Sequence, residues 1–293
     1  MPRPIAARSK VRALLLAGVL LASPSLAGGR ITAESLDSPR LGRALPYQLY
    51  VPQTVQGRLP VLYLYHGLRG DETDWPTGGG IAEILDTAIK AKVIPPLFAV
   101  MPGVGNSWYV DSEAFGPIAT TLSDDLLPAI DARLPTQACR TGRAVAGLSM
   151  GGLGAVLQGL RHPDRYGTII SLSGSLFDPV PPNADSSVLA RFRMFGAVFG
   201  QPMEPARYNA ANAFLTLAGL PASGSRPDLW FAAGDDDYPS ILVGSAKLHI
   251  EAQRLGLASE LRVIDGGHSW GTWRQGLTEA LAWLGPHLKP CAG

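Results

Sequence analysis

Residues 143–154 read Arg-Ala-Val-Ala-Gly-Leu-Ser-Met-Gly-Gly-Leu-Gly, and this stretch decides how the rest of the chain is read. An apolar, partly β-branched run climbs to Gly147, and the turn Gly147-Leu148-Ser149-Met150-Gly151 follows it. Leu153, Val156 and Leu157 then recur with the spacing of a buried helix. G-x-S-x-G between a strand and a helix is a nucleophile elbow. A sharp, strained turn holds the Ser149 hydroxyl clear of the chain, and side chains at Gly147 or Gly151 would collide with the flanking strand or helix. The helix that starts here points its first free N–H groups at the same spot, so the Met150 N–H is expected to donate to an oxyanion. The bare pattern also occurs in ordinary Gly/Ser turns; the flanking strand and helix set this one apart.

A serine hydroxyl is a poor nucleophile until a base takes its proton, so a histidine must be found. Of five, His162 ends a helix in Arg-His-Pro-Asp, His249 lies inside a helical run and His287 sits in the tail beside Pro286. His66 closes a strand but precedes Ser149, and it is expected to shape its own loop. His268 follows the apolar run Leu261 to Ile264 through Asp265-Gly266-Gly267. That places it on a loop at a strand's C-terminal end, the edge where open α/β sheets carry their sites, and His268 is the expected base.

The base needs an acid to fix its tautomer. Leu229 to Ala233 reads as a strand and runs into Gly234-Asp235-Asp236-Asp237. One of the three acids is expected to serve, and the spacing from Gly234 favours Asp237. The trio could also form a solvated turn. Consecutive residues cannot easily converge on one ion, so neither a metal nor a cofactor is expected. A second oxyanion donor should come from the loop after His66-Gly67, where the Leu68 N–H is the candidate.

Outward from the elbow, strands and helices alternate. Leu45 to Val51, Val61 to Tyr65, Leu97 to Met101 and Thr168 to Leu172 read as further strands. Ile81 to Ala91, Ala119 to Leu134, Ile241 to Leu255 and Thr272 to Leu288 read as helices, the second with a kink at Pro128. The expected fold class is α/β, a mostly parallel central sheet with helices on both faces. Ser175 to Arg226 is too long for a plain connection, and a lid over the acyl pocket is expected there. Its helix near Val188 to Phe199 offers Phe192, Met194, Phe195, Val198 and Phe199 either to line the pocket or to fasten the lid. Trp108 and Tyr109 follow a strand end, either against substrate or packed beneath the loop.

The first 27 residues have the layout of a secretory signal: basic Arg3, Arg8, Lys10 and Arg12, an apolar Ala13 to Leu21, then Ser25-Leu26-Ala27 for cleavage. The apolar core is too short to span a bilayer comfortably, so a periplasmic or secreted protein with no membrane span is expected. Residues 28–293 then form one catalytic domain. Removing four cations lowers the formal charge from +1 to about −3, which leaves nothing basic enough to bind nucleic acid or an anionic surface. Cys139 and Cys291 are the two cysteines. In an oxidising compartment such a pair is expected to be a disulfide, fastening the C-terminal tail to the loop before the elbow strand. No feature fixes the number of subunits.

Five blocks now resemble the putative-esterase family of α/β-hydrolases, which includes feruloyl esterases, S-formylglutathione hydrolases, enterochelin esterases and mycolyltransferases. They are Leu64-Tyr65-His66-Gly67; Met101-Pro102-Gly103 with Ser107-Trp108-Tyr109; Gly147 to Gly152; Gly234 to Asp237; and Gly267-His268-Ser269-Trp270. The resemblance implies the α/β-hydrolase fold and a serine esterase with Ser149, Asp237 and His268 as triad and Leu68 and Met150 as oxyanion amides. Its substrate would be a small-molecule or glycan-linked ester. Gly151-Gly152 is similar to the hydrolases, whereas His268-Ser269-Trp270 with Trp273 is similar to the mycolyltransferases and draws Trp270 into the expected pocket. Leu68-Arg69-Gly70-Asp71 stands where S-formylglutathione hydrolases carry a cysteine-containing loop. Acyl transfer and a silent ligand-binding relative are the alternatives to hydrolysis.

Overall fold

The computed structural model describes residues 28–291; the expected signal segment, 1–27, lies outside them. Eight strands form the main sheet: β1 (Arg30–Ser38), β2 (Arg43–Val51), β3 (Val61–Tyr65), β4 (Phe98–Pro102), β5 (Arg143–Leu148), β6 (Thr168–Leu172), β7 (Asp228–Gly234) and β8 (Ser259–Ile264). Their spatial order is β1-β2-β4-β3-β5-β6-β7-β8. The pairs from β4 to β8 are parallel, while β2 runs antiparallel to both β1 and β4.

The central strands are mostly apolar and buried along their length because both of their faces are covered. Alternate residues go to opposite cores. Val61, Tyr63 and Tyr65 join one apolar cluster, and Leu62 and Leu64 join the other. On β7, Leu229 and Phe231 face one way and Trp230 and Ala232 the other. Helices α1 (Ile81–Lys90) and α4 (Trp270–Leu284) cover one face through Leu85, Leu277 and Leu281. The elbow helix α2 (Met150–Arg161) and α3 (Pro239–Arg254) cover the other through Val156, Leu157 and Leu248. The expected α/β architecture is the one observed.

The kink expected at Pro128 takes a definite form. Pro128 has no N–H for the carbonyl four residues back, and the turn ahead of it widens into a π segment, Leu122–Leu126, flanked by α-helical Ile118–Thr121 and Leu127–Arg133. The Leu127 N–H accordingly reaches back to the Leu122 carbonyl. The expected helix around 188–199 is only partly one: Ser186–Leu189 is α-helical, Ala190–Phe195 is a 3₁₀ turn, and Gly196 at φ 58° ends it. β1 is an edge strand absent from the sequence reading.

Cys139 and Cys291 form a disulfide with a Cα–Cα separation of 5.8 Å. The Lys289 N–H donates to the Thr141 carbonyl beside it, so the tail is fastened ahead of β5 as expected. Among the described residues, no helix is long and apolar enough to cross a membrane.

Candidate active site

Parallel strands present all their C-terminal ends on one edge, and this edge collects the residues singled out in the sequence. Ser149 follows β5. Its backbone sits at φ 53°, ψ −116°, a sparsely populated region that costs on the order of 1–3 kcal/mol. Four hydrogen bonds hold it there. The Ser149 N–H donates to the Leu172 carbonyl at 2.9 Å, and the Ser149 carbonyl accepts from Gly152, Leu153 and Ser175. A Cβ on Gly147 would strike the Gly151 carbonyl, and one on Gly151 would strike the carbonyls of Tyr65 and His66. Both glycines are therefore required by close backbone approach, as the elbow reading expects.

β8 pairs with β7 so that Ile264 lies opposite Gly234. Asp237 and His268 stand three and four residues beyond that pair, which brings them together. His268 Nδ1 lies 2.9 and 3.1 Å from the two Asp237 carboxylate oxygens, and its Nε2 lies 2.9 Å from Ser149 Oγ. A carboxylate can only accept, so Nδ1 carries the proton and Nε2 is free to take one from Ser149. The Asp237 side chain is fully buried and also accepts from the Tyr238 N–H at 2.7 Å. Its two neighbours differ. Asp235 and Asp236 are exposed, grouped with Asp265, and neither bonds His268.

Leu68 and Met150 are the two expected oxyanion amides. Met150 is the first residue of α2, and Leu68 borders the cleft. Neither N–H donates to any acceptor among the described residues. His66 explains how the Leu68 amide is aimed. Its buried ring donates from Nδ1 to the Gly67 carbonyl at 2.8 Å and accepts the Val104 N–H at Nε2. In a trans peptide the carbonyl and the following N–H point oppositely, so holding Gly67 C=O toward His66 turns the Leu68 N–H the other way. Burial holds the His66 pKa below its ordinary value. The loop-shaping role expected of His66 is the one it has.

The cleft above Ser149 encloses about 600 Å³. Trp270, Trp273 and Tyr238 flank His268, with ring centroids 5.0 Å (Trp273) and 5.5 Å (Tyr238) from the imidazole. Trp108 and Phe177 add apolar surface, and Met194 is the one residue of 188–199 that reaches the cleft. Phe195, Val198 and Phe199 are buried, and Phe195 packs on Trp108 at 4.1 Å. These residues fasten the segment to the body.

Tyr109 is a correction. It is fully buried, stacked on Tyr65 at 4.4 Å, with its hydroxyl donated to the His66 carbonyl. It supports the loop from beneath and does not border the cleft. Sequence reasoning also passed over Tyr238 and Asp74. Asp74 borders the cleft, and burial raises its carboxyl above the ordinary value. Tyr238 could have been found as the residue next to Asp237; nothing in the sequence marks Asp74.

The sequence profile of the family described as Putative esterase matches residues 38–284. An endo-1,4-beta-xylanase/feruloyl esterase of Xylanibacter ruminicola is 32% identical over 210 residues, which are 67% of this chain and 28% of that protein. An acetyl esterase of Caldicellulosiruptor saccharolyticus is 26% identical over 233 residues, 77% of this chain and 83% of that one. The solved structure of a ferulic acid esterase superposes with a TM-score of 0.69 at 24% identity, covering 89% of this chain and 99% of the other. The chain belongs to the Putative esterase family and has the α/β-hydrolase fold.

Proposed function

We propose that this protein is an exported serine esterase that cleaves a small-molecule or glycan-linked carboxylic ester through an acyl-serine. Ser149 Oγ attacks the ester carbonyl while His268 Nε2 takes its proton, and Asp237 steadies the imidazolium that forms. The carbonyl oxygen becomes an oxyanion between the Leu68 and Met150 amides. His268 returns the proton to the departing alcohol. Water, deprotonated by the same ring, then releases the acid and restores Ser149.

The observation that carries this reading is the unbroken line Ser149–His268–Asp237, with both links at 2.9 Å. A silent binding relative has no use for a buried carboxylate behind a histidine behind a strained serine. Export rests on the basic and apolar pattern of residues 1–27. Feruloyl and acetyl esters enter as candidates through the names of the xylanase/feruloyl esterase and the acetyl esterase above. Acyl transfer is the second reading, favoured by the tryptophans that flank His268.

Ser149→Ala should abolish hydrolysis of p-nitrophenyl acetate and labelling by a fluorophosphonate, with an unchanged circular dichroism spectrum. Near-normal hydrolysis by a folded Ser149→Ala protein would overturn the mechanism. A wild type that neither hydrolyses such esters nor takes the label would restore the binding alternative.

A further inference from the structure

A second pocket of about 460 Å³ adjoins the cleft and shares Leu68, Arg69 and Met194 with it. Its polar side chains are all donors. Arg69 and Arg193 border it, and neither guanidinium makes an ion pair or hydrogen bond among the described residues. Asn106 is the third. Its Oδ1 is taken by the Arg69 N–H at 2.7 Å, which leaves its NH₂ to donate. Among the described residues, no acidic one borders the pocket. The nearest in sequence, Glu113, is paired with Arg207 at 3.3 Å. This is not the spill-over of a basic protein, because without residues 1–27 the chain carries about −3.

Two unpaired guanidinium-bearing residues on one pocket wall call for an anion, and a planar carboxylate can accept paired hydrogen bonds from a guanidinium. The rest of the lining is apolar, with Leu68, Phe115, Met194 and Phe195 its largest side chains, which suits the carbon frame behind such a group. We propose that this pocket receives a carboxylate carried by the ester substrate, so that the enzyme prefers acidic esters over neutral ones. The inference rests on the esterase reading for its connection to turnover.

Two matched pairs test it: mono(4-nitrophenyl) adipate against its methyl ester, with the carboxylate on the acyl half, and 4-acetoxybenzoate against its methyl ester, with it on the alcohol half. In the wild type, kcat/KM should favour the acid in one pair by about tenfold. The ratio should fall toward one in Arg193→Gln and in 0.5 M NaCl, since the pocket is open to screening, and Arg193→Lys should restore part of it. The pair that responds tells which half of the ester enters. Turnover of neutral esters with no acid preference in either pair, or a preference indifferent to Arg193→Gln, overturns the inference and leaves the esterase reading intact. If no ester is turned over, that reading fails, and calorimetric titration of adipate and 4-hydroxybenzoate into Ser149→Ala decides. Saturable binding lost in Arg193→Gln supports the pocket; no binding of either overturns it.

Discussion

Asp235 Oδ1 accepts the Gly266 N–H at 2.9 Å, tying the turn after β7 to the loop that carries His268. Three consecutive acids therefore have three different situations. Asp237 bonds the imidazole, Asp235 holds the loop that presents it, and Asp236 makes no side-chain hydrogen bond among the described residues. Asp237→Asn should lower kcat by on the order of 10⁴. Asp235→Asn should cost up to about 10², by loosening the position of His268. Asp236→Asn should stay near wild type. Steady-state kinetics of the three variants checks the order, and a crippled Asp236→Asn with an active Asp237→Asn would shift the assignment by one residue.

The elbow glycines separate close approach from backbone conformation. A methyl at Gly147 meets the fixed carbonyl of Gly151, and no flexible side chain can give way. Gly57 has φ +66°, and among the described residues nothing lies within 4 Å of a new Cβ. Gly57→Ala should therefore cost only the left-handed conformation, about 1–2 kcal/mol. Gly147→Ala should cost about 3 kcal/mol or more. Urea unfolding of both variants measures the difference, and equal losses would contradict the crowding argument.

The disulfide closes a loop across a sequence separation of 152 residues. In the chain-entropy model that closure stabilises the fold by about 5 kcal/mol, through the unfolded state. Cys291→Ser, or reduction of the wild type, should lower the unfolding free energy by an amount approaching this. Two free thiols found by mass spectrometry in unreduced protein made in the periplasm would remove the basis for the effect.

The buried His66 makes stability depend on pH with a definite sign. Its folded pKa lies below the ordinary value because burial disfavours the charged ring. Below about pH 6.5 the unfolded chain therefore binds a proton that the folded chain refuses, and stability falls with acidification by up to about 1.4 kcal/mol per pH unit. Asp74, with its carboxyl raised by burial, acts oppositely just above the ordinary carboxylate value, where the folded state holds the extra proton. Unfolding free energy should decline from pH 7 to pH 5.5 in the wild type and decline less in His66→Asn. An equal decline in both would place the proton elsewhere.

The elements legible in the sequence were those with one dominant local cause. β3 is an uninterrupted apolar and aromatic run and β6 a short, fully buried, mostly β-branched one, and their observed bounds, Val61–Tyr65 and Thr168–Leu172, are the expected ones. Ser149, Asp237 and His268 were readable because each follows a strand end at short range. β1 was not, since Arg30–Ser38 mixes charged and apolar residues and becomes a strand only by pairing with β2 along its whole length. Tyr109 was undecidable for a related reason. Which side of a loop faces the core depends on Tyr65 and Gly154, which pack against its ring from elsewhere in the chain. The donor-only pocket joins residues 69, 106 and 193, and no local pattern links them.

Hydrolysis and acyl transfer share the acyl-serine and part only in what attacks it next. Transfer wins when an acceptor alcohol is held beside the base and water is kept away. On the His268 side the cleft wall is Trp270, Trp273 and Tyr238, rings that offer a polyol stacking surface but few fixed hydrogen-bonding partners. That side is also open: the His268 side chain keeps 22% of its exposure and Tyr238 66%, so water reaches the acyl-serine. Free acid should therefore dominate when a p-nitrophenyl acyl ester is supplied with increasing glycerol or trehalose and both products are quantified. New ester dominating at an acceptor concentration well below that of water would mean that the tryptophan wall binds the acceptor, and the protein would then be a transferase.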